Sequence, residues 1–241
     1  MKIIIVGNYD EMSDRAANYV ITQVSAKPES VLGLAAGNTP LGMYRELIKS
    51  YNRGEVDFPG VTLFSLDEYC NLEKDNPQSY YHFINKNFIS HINVKTENAF
   101  IPNGMARDIE EECRNYERKI LEKGGIDLQV LGIGQNGHIG FNEPGSDFEA
   151  ASHLVQLKQS TIEANARYFS SRDEVPTTAI SMGIKTIMQS RMLVLLASGE
   201  KKANAISKAI HGEVSTSVPA SILQLHPNAV FILDEKAASL L

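Results

Sequence analysis

Short apolar runs alternate with longer amphipathic stretches along the whole chain. The runs Lys2–Val6, Ser30–Ala35, Val61–Ser65, Ile126–Ile133, Thr178–Ser181, Arg191–Ala197 and Ala229–Leu233 predict strands. Helical spacing lies between them, at Met12–Ser25, Leu41–Tyr51, Gln78–His91, Ala106–Lys123, Ile162–Phe169 and Lys201–Ile210. The runs IIIV, LVLLA and VFIL carry no polar alternation, which suits strands covered on both faces. Strands that alternate with helices in this way predict an α/β fold, with a mostly parallel sheet flanked by helices on both faces. Ligands in such folds sit beyond the carboxyl ends of the strands, and those ends carry the polar chemistry considered below.

Composition narrows the class. The chain has 241 residues, enough for one open, Rossmann-like domain, and contains no internal repeat, low-complexity tract or linker. Hydrophobic residues at 43% and charged residues at 22% exclude a disordered, collagen-like or coiled-coil chain. A net charge of −6 argues against coating nucleic acid, so an anionic ligand needs a local cluster of donors. The charge-free stretch Val214–Leu233 is interrupted by Pro219 and Pro227 and carries His226 and Asn228, so no membrane partner is expected. The opening MKIIIVGNYDE reads as a first strand rather than a signal peptide. Cys70 and Cys113 form no CxxC pair and give no zinc framework, and the cytoplasm is the expected compartment.

Four strand ends stand out. In VLGLAAGNTPLGMYREL a strand meets a Gly37-Asn38-Thr39 turn before a helix, with Thr39 at the N-cap and Pro40 in the first turn. Exposed N–H groups there suit an anion, although a well-made helix start explains the same residues. No P-loop lysine is present, so a nucleoside triphosphatase is not indicated. In VTLFSLDEYCNL a strand delivers Asp67 and Glu68 side by side. Neighbours on an extended segment point opposite ways, so at most one faces a cleft. A carboxylate shielded by apolar groups can move protons; the alternative is a solvated turn with a helix-capping acid.

The densest segment is IDLQVLGIGQNGHIGFNEPG. Gly132-x-Gly134-x-x-Gly137 matches the dinucleotide fingerprint in form, but Pro144 and Gly145 break any following helix, and the next extended run (SHLVQL) ends without an acid. The nicotinamide reading fails on both counts. What remains is a glycine-rich loop presenting Asn136, His138, Asn142 and Glu143, an acid–base candidate without the spacing of a zinc site. The fourth feature is basic: Arg167, Lys185 and the Lys201-Lys202 pair after LLASG, any of which could reach an anion or lie solvated.

Taken together, LGLAAGNTPLGMYREL, SLDEY, LGIGQNGHIGFNEPG, TTAISMG and GEKKANAI resemble the glucosamine-6-phosphate deaminase family over almost the whole chain. The resemblance implies conversion of glucosamine 6-phosphate and water to fructose 6-phosphate and ammonia, an aldose–ketose isomerisation with deamination, without metal or organic cofactor. It implies Asp67 as the base for the C2–C1 proton transfer, and His138 as the ring-opening catalyst with Glu143 holding its imidazole. Asn136 stands where part of the family has Asp, and can still orient His138 through a hydrogen bond. The Gly37–Thr39 turn, Arg167 and Lys202 would hold the phosphate; Lys185 has no counterpart role.

Hexameric, allosterically activated members carry basic residues shortly after the FNEPG block. Here that stretch offers His153 and Val155, with Asp147 and Glu149 to repel a phosphate, and the chain ends soon after its last strand. A monomer without an allosteric site is therefore expected. The polar stretch Ser152–Asp173 is a lid or an ordinary surface helix. Two other readings stay open: a 6-phosphogluconolactonase-like hydrolase, and a non-catalytic sugar-phosphate sensor.

Overall fold

The computed structural model describes residues 1–166, 169 and 171–241. In chain order the elements are β1 (Lys2–Val6), α1 (Tyr9–Ala26), β2 (Val31–Leu34), α2 (Leu41–Asn52), β3 (Thr62–Ser65), β4 (Asp67–Tyr69), α3 (Tyr80–Asn87), β5 (Ala99–Phe100), α4 (Ile109–Glu122), β6 (Leu128–Gly132), β7 (His153–Gln156), α5 (Gln159–Ala166), β8 (Thr178–Ser181), α6 (Ile184–Met188), β9 (Met192–Ala197), α7 (Ala203–His211) and β10 (Ala229–Asp234). Seven strands form a parallel sheet in the order β1-β10-β9-β6-β2-β3-β5. The remaining three form an antiparallel sheet in the order β4-β8-β7.

The apolar runs explain the layers. Along β9, Leu193, Leu195 and Ala197 pack with Tyr116 and Ile120 of α4 and Ile206 and Ile210 of α7. The alternate residues Val194 and Leu196 face Met12 and Val20 of α1 and Met43 and Leu47 of α2. Two apolar faces on one strand require helices on both sides of the sheet, as the unbroken runs predicted. The first run departs from this. β1 is an edge strand paired only to β10, and Ile3 and Ile5 are 39% and 52% exposed. Hydrophobicity alone does not distinguish an edge strand covered on one face from a central one.

The amino ends of the strands are tied by Asp127, which is 4% exposed. Its carboxylate accepts from Lys27 Nζ at 2.7 Å, from Arg191 Nη1 at 3.1 Å and from the Val31 N–H at 2.8 Å. Removing it leaves that buried N–H and two cations without their shared acceptor. Asp127→Ala is expected to lower the unfolding free energy by about 3 kcal/mol in denaturant titration, with KM unchanged. A loss under about 1 kcal/mol would show that solvent substitutes for the carboxylate.

Candidate active site

The chain leaves the parallel sheet immediately after β3. The Leu66 N–H still donates to Leu34 O at 2.8 Å, and the next residue already belongs to β4, paired antiparallel with β8. This switch places Asp67 on the wall of a cleft of about 520 Å³ at the carboxyl ends of β2 and β6. Asp67 is 6% exposed, and burial first, then the neighbouring Glu68 carboxylate, pushes its pKa up to about 8.

Glu68 points the other way. It is buried and accepts from the N–H groups of Tyr69, Tyr80 and Tyr81 at 2.9, 2.9 and 2.8 Å, which satisfies the first turn of α3. The alternation thus assigns one acid to the cleft and the other to a helix cap. The cap is buried rather than solvated, and burial raises the Glu68 carboxyl while those N–H groups pull it back down.

The glycine-rich loop turns instead of opening a helix: Gly134 N–H donates to His138 O at 2.9 Å and Gly137 N–H to Gly134 O at 3.1 Å. A Cβ on Gly134 would lie 2.2 Å from His138 Cε1, so the imidazole can stack onto that backbone only because residue 134 is glycine. Asn136 and His138 line the cleft with Asp67, and Glu143 is buried behind them. Glu143 Oε2 stands 3.6 Å from His138 Nδ1, beyond hydrogen-bond length, while Asn136 Nδ2 donates to that oxygen at 2.7 Å. Asn136 Oδ1 accepts from the His138 backbone N–H at 3.2 Å and so fixes the main chain rather than the ring. Asn142 is fully buried and donates to Ile139 O and Met182 O, pinning the loop from beneath.

A second cavity, of about 760 Å³, adjoins the cleft and shares Thr39, Tyr80, Gln135 and Lys202 with it. Gly37 and Asn38 line its wall, and Gly37 has the positive φ of +105° that glycine tolerates best. Thr39 is not the N-cap of α2. Pro40 occupies that position without a side-chain bond, and the Tyr9 hydroxyl of α1 accepts the Gly42 N–H at 2.8 Å. A hydroxyl supplied from 33 residues away leaves no trace in the local pattern.

Lys202 Nζ donates to Ile133 O at 2.6 Å, and burial lowers its pKa. The loop before it is anchored by Asp234, which accepts from Ser198 Oγ at 2.5 Å and the Gly199 N–H at 3.0 Å. Arg167 lies outside the described residues. Lys185 pairs with Glu149 at 3.2 Å and lines neither cavity. Tyr80, by contrast, lines both, and sequence reasoning passed over it. Its one local signal is Ser79, which caps α3 by accepting the His82 N–H at 2.9 Å.

Fold and cleft together define an α/β protein that receives a small polar ligand at the carboxyl ends of its strands. Residues 7–232 match the family described as glucosamine-6-phosphate isomerases/6-phosphogluconolactonase. The chain is 57% identical over 241 residues to a glucosamine-6-phosphate deaminase of Clostridium acetobutylicum, covering 100% of both. It is 56% identical over 239 residues to one from Clostridium botulinum, covering 99% of this chain and 98% of that one. A solved structure described as a monomeric glucosamine-6-phosphate deaminase superposes with a TM-score of 0.98 at 46% identity, covering 100% of both chains. A 6-phosphogluconolactonase from Trypanosoma brucei shares the fold at a TM-score of 0.80 and 17% identity, covering 100% of this chain and 98% of that one. The chain belongs to the glucosamine-6-phosphate isomerase/6-phosphogluconolactonase family.

Proposed function

We propose that this chain is a glucosamine-6-phosphate deaminase, converting glucosamine 6-phosphate and water to fructose 6-phosphate and ammonia. The observation that carries the reading is that Asp67 and His138 face one cleft, in a chain matching deaminases along its full length. The closed pyranose has no acidic proton at C2. His138 moves a proton between the ring oxygen and the C1 hydroxyl and opens it to the aldehyde. The C1 carbonyl then acidifies the C2 proton, so no external electron sink is needed. Asp67 takes that proton from C2 while the substrate's ammonium gives one to the C1 oxygen, and Asp67 then returns the C2 proton to C1 of the enolamine. The resulting C2 iminium adds water and releases ammonia. Glu143 and Asn136 hold the His138 loop in place. Thr39 and Lys202, at the seam of the two cavities, hold the phosphate with Gly37 and Asn38; the resemblance alone assigns Arg167 to the same role.

The test is ammonium release from glucosamine 6-phosphate without added metal or nucleotide. Acid release from 6-phosphogluconolactone without ammonia would favour the lactonase reading, and binding without turnover the sensor.

We further infer a monomer without an activator site. After the FNEPG block Glu149 is already paired with Lys185, and a monomeric deaminase superposes over the whole chain. Hyperbolic kinetics unchanged by N-acetylglucosamine 6-phosphate are expected, together with a single 26.6 kDa species in sedimentation. A sigmoidal curve straightened by that compound would refute it. The segment 152–173 begins as β7, held to β8, and Phe169 borders the outer cavity, which supports its reading as a cover. Among the described residues no helix is long and apolar enough to cross a membrane. Cys70 and Cys113 are buried and unpaired, which suits the reducing cytoplasm.

A further inference from the structure

We infer that Tyr9 is a positioning residue for the phosphate-binding turn, an inference that rests on the phosphate site proposed above. Tyr9 lies far from that turn in sequence, and its own position is set locally. Asn8 caps α1, its side chain accepting the N–H groups of Asp10 and Glu11 at 3.0 Å. Glu11 reaches back to the Gly7 N–H at 2.9 Å and to Asn8 Nδ2 at 3.0 Å, a capping arrangement that holds Tyr9 at the first helical position.

From there the Tyr9 hydroxyl enters the start of α2. It donates to Asn38 O at 2.9 Å and accepts the Gly42 N–H at 2.8 Å. It thereby supplies the cap that α2 lacks from its own sequence and ties the turn to the helix it precedes. On the other side of the turn Tyr44 Oη donates to Ala35 O at 2.7 Å, so the segment between is held at both ends.

The consequence follows from peptide planarity. The Asn38 carbonyl and the Thr39 N–H belong to one trans peptide and point in opposite directions. Fixing the carbonyl on Tyr9 aims the Thr39 N–H away from α1, and Thr39 lines both cavities. That N–H donates to no backbone carbonyl among the described residues. Tyr9 therefore presents a donor to the phosphate without touching it, and leaves the Thr39 hydroxyl free of capping duty.

Tyr9→Phe removes the hydroxyl and keeps the ring. KM for glucosamine 6-phosphate is expected to rise about three- to tenfold, the scale of one hydrogen bond, with kcat within about twofold. Competitive inhibition by inorganic phosphate should weaken by the same factor. Asp127→Asn, at the opposite ends of the strands, serves as a destabilised control and should lower the melting temperature without moving KM. Lys202→Met separates the two levels of the argument. If it raises KM and weakens phosphate while Tyr9→Phe does neither, the role of Tyr9 is refuted and the phosphate site stands. If neither variant affects phosphate, the phosphate site itself is misplaced. A Tyr9→Phe loss confined to kcat, or one matched by Asp127→Asn, would also overturn the inference.

Discussion

Asp67→Asn is expected to lower kcat by about 10³-fold, within the usual range for removing a positioned base, while KM stays within a few-fold. The amide fills the same space on the cleft wall but cannot take the C2 proton. Its pH behaviour follows from the carboxyl's position, buried on that wall with a pKa of about 8 against an ordinary 3.8. The base acts ionised, so wild-type kcat/KM should rise about tenfold per pH unit below 8 and level off above it. The bound substrate brings an ammonium beside C2, which favours the carboxylate, so the acid limb of kcat should fall at lower pH than that of kcat/KM. A kcat/KM profile flat from pH 6 to 9, or retained turnover in Asp67→Asn, would remove Asp67 from this role.

The same group makes a stability prediction of fixed sign. A carboxyl raised in the folded state contributes stability that is complete below its unfolded pKa of about 4 and is lost as pH rises through the folded value of about 8. Asn carries no such dependence. Thermal melts should therefore show Asp67→Asn gaining on wild type between about pH 4 and 8 and no further above that, the reverse of the activity order. Burying a base where it must ionise costs fold stability and supplies proton affinity at once.

How much of this was legible in the sequence depends on the range of the interactions involved. The runs that became β6, β8, β9 and β10 were readable because a strand covered on both faces carries the signal in its own residues. The antiparallel sheet was not foreseen. β4 is three residues long, and SHLVQL was visible only as an extended run, since strand pairing is decided by partners distant in sequence. In the site, the alternation of Asp67 and Glu68 was a local rule and held. The Thr39 cap was also a local rule, and a hydroxyl from another helix overrode it. Glu143 illustrates the same limit at smaller scale: proximity to His138 was legible, but not that Asn136 takes the nearer place on its oxygen.

His138→Gln is the other substitution with a large expected effect, a fall in kcat of about 10²-fold. The position is held by the backbone on both sides, with His138 O accepting from Gly134 and its N–H donating to Asn136, so the loop should survive the exchange. Gln can fill the space over Gly134 but cannot shuttle a proton between the ring oxygen and the C1 hydroxyl. Ring opening then becomes rate-limiting, and three readouts follow. KM changes little, because the proposed phosphate contacts lie at the seam with the outer cavity. An open-chain amino-alditol 6-phosphate, which needs no opening, binds the variant as tightly as it binds wild type. In deuterated water the label at C1 of the product keeps its wild-type stereochemistry, since Asp67 still performs the transfer. Loss of stereochemical preference at C1 would move His138 from ring opening to the isomerisation itself, and a kcat within threefold of wild type would leave the imidazole without a chemical part in turnover.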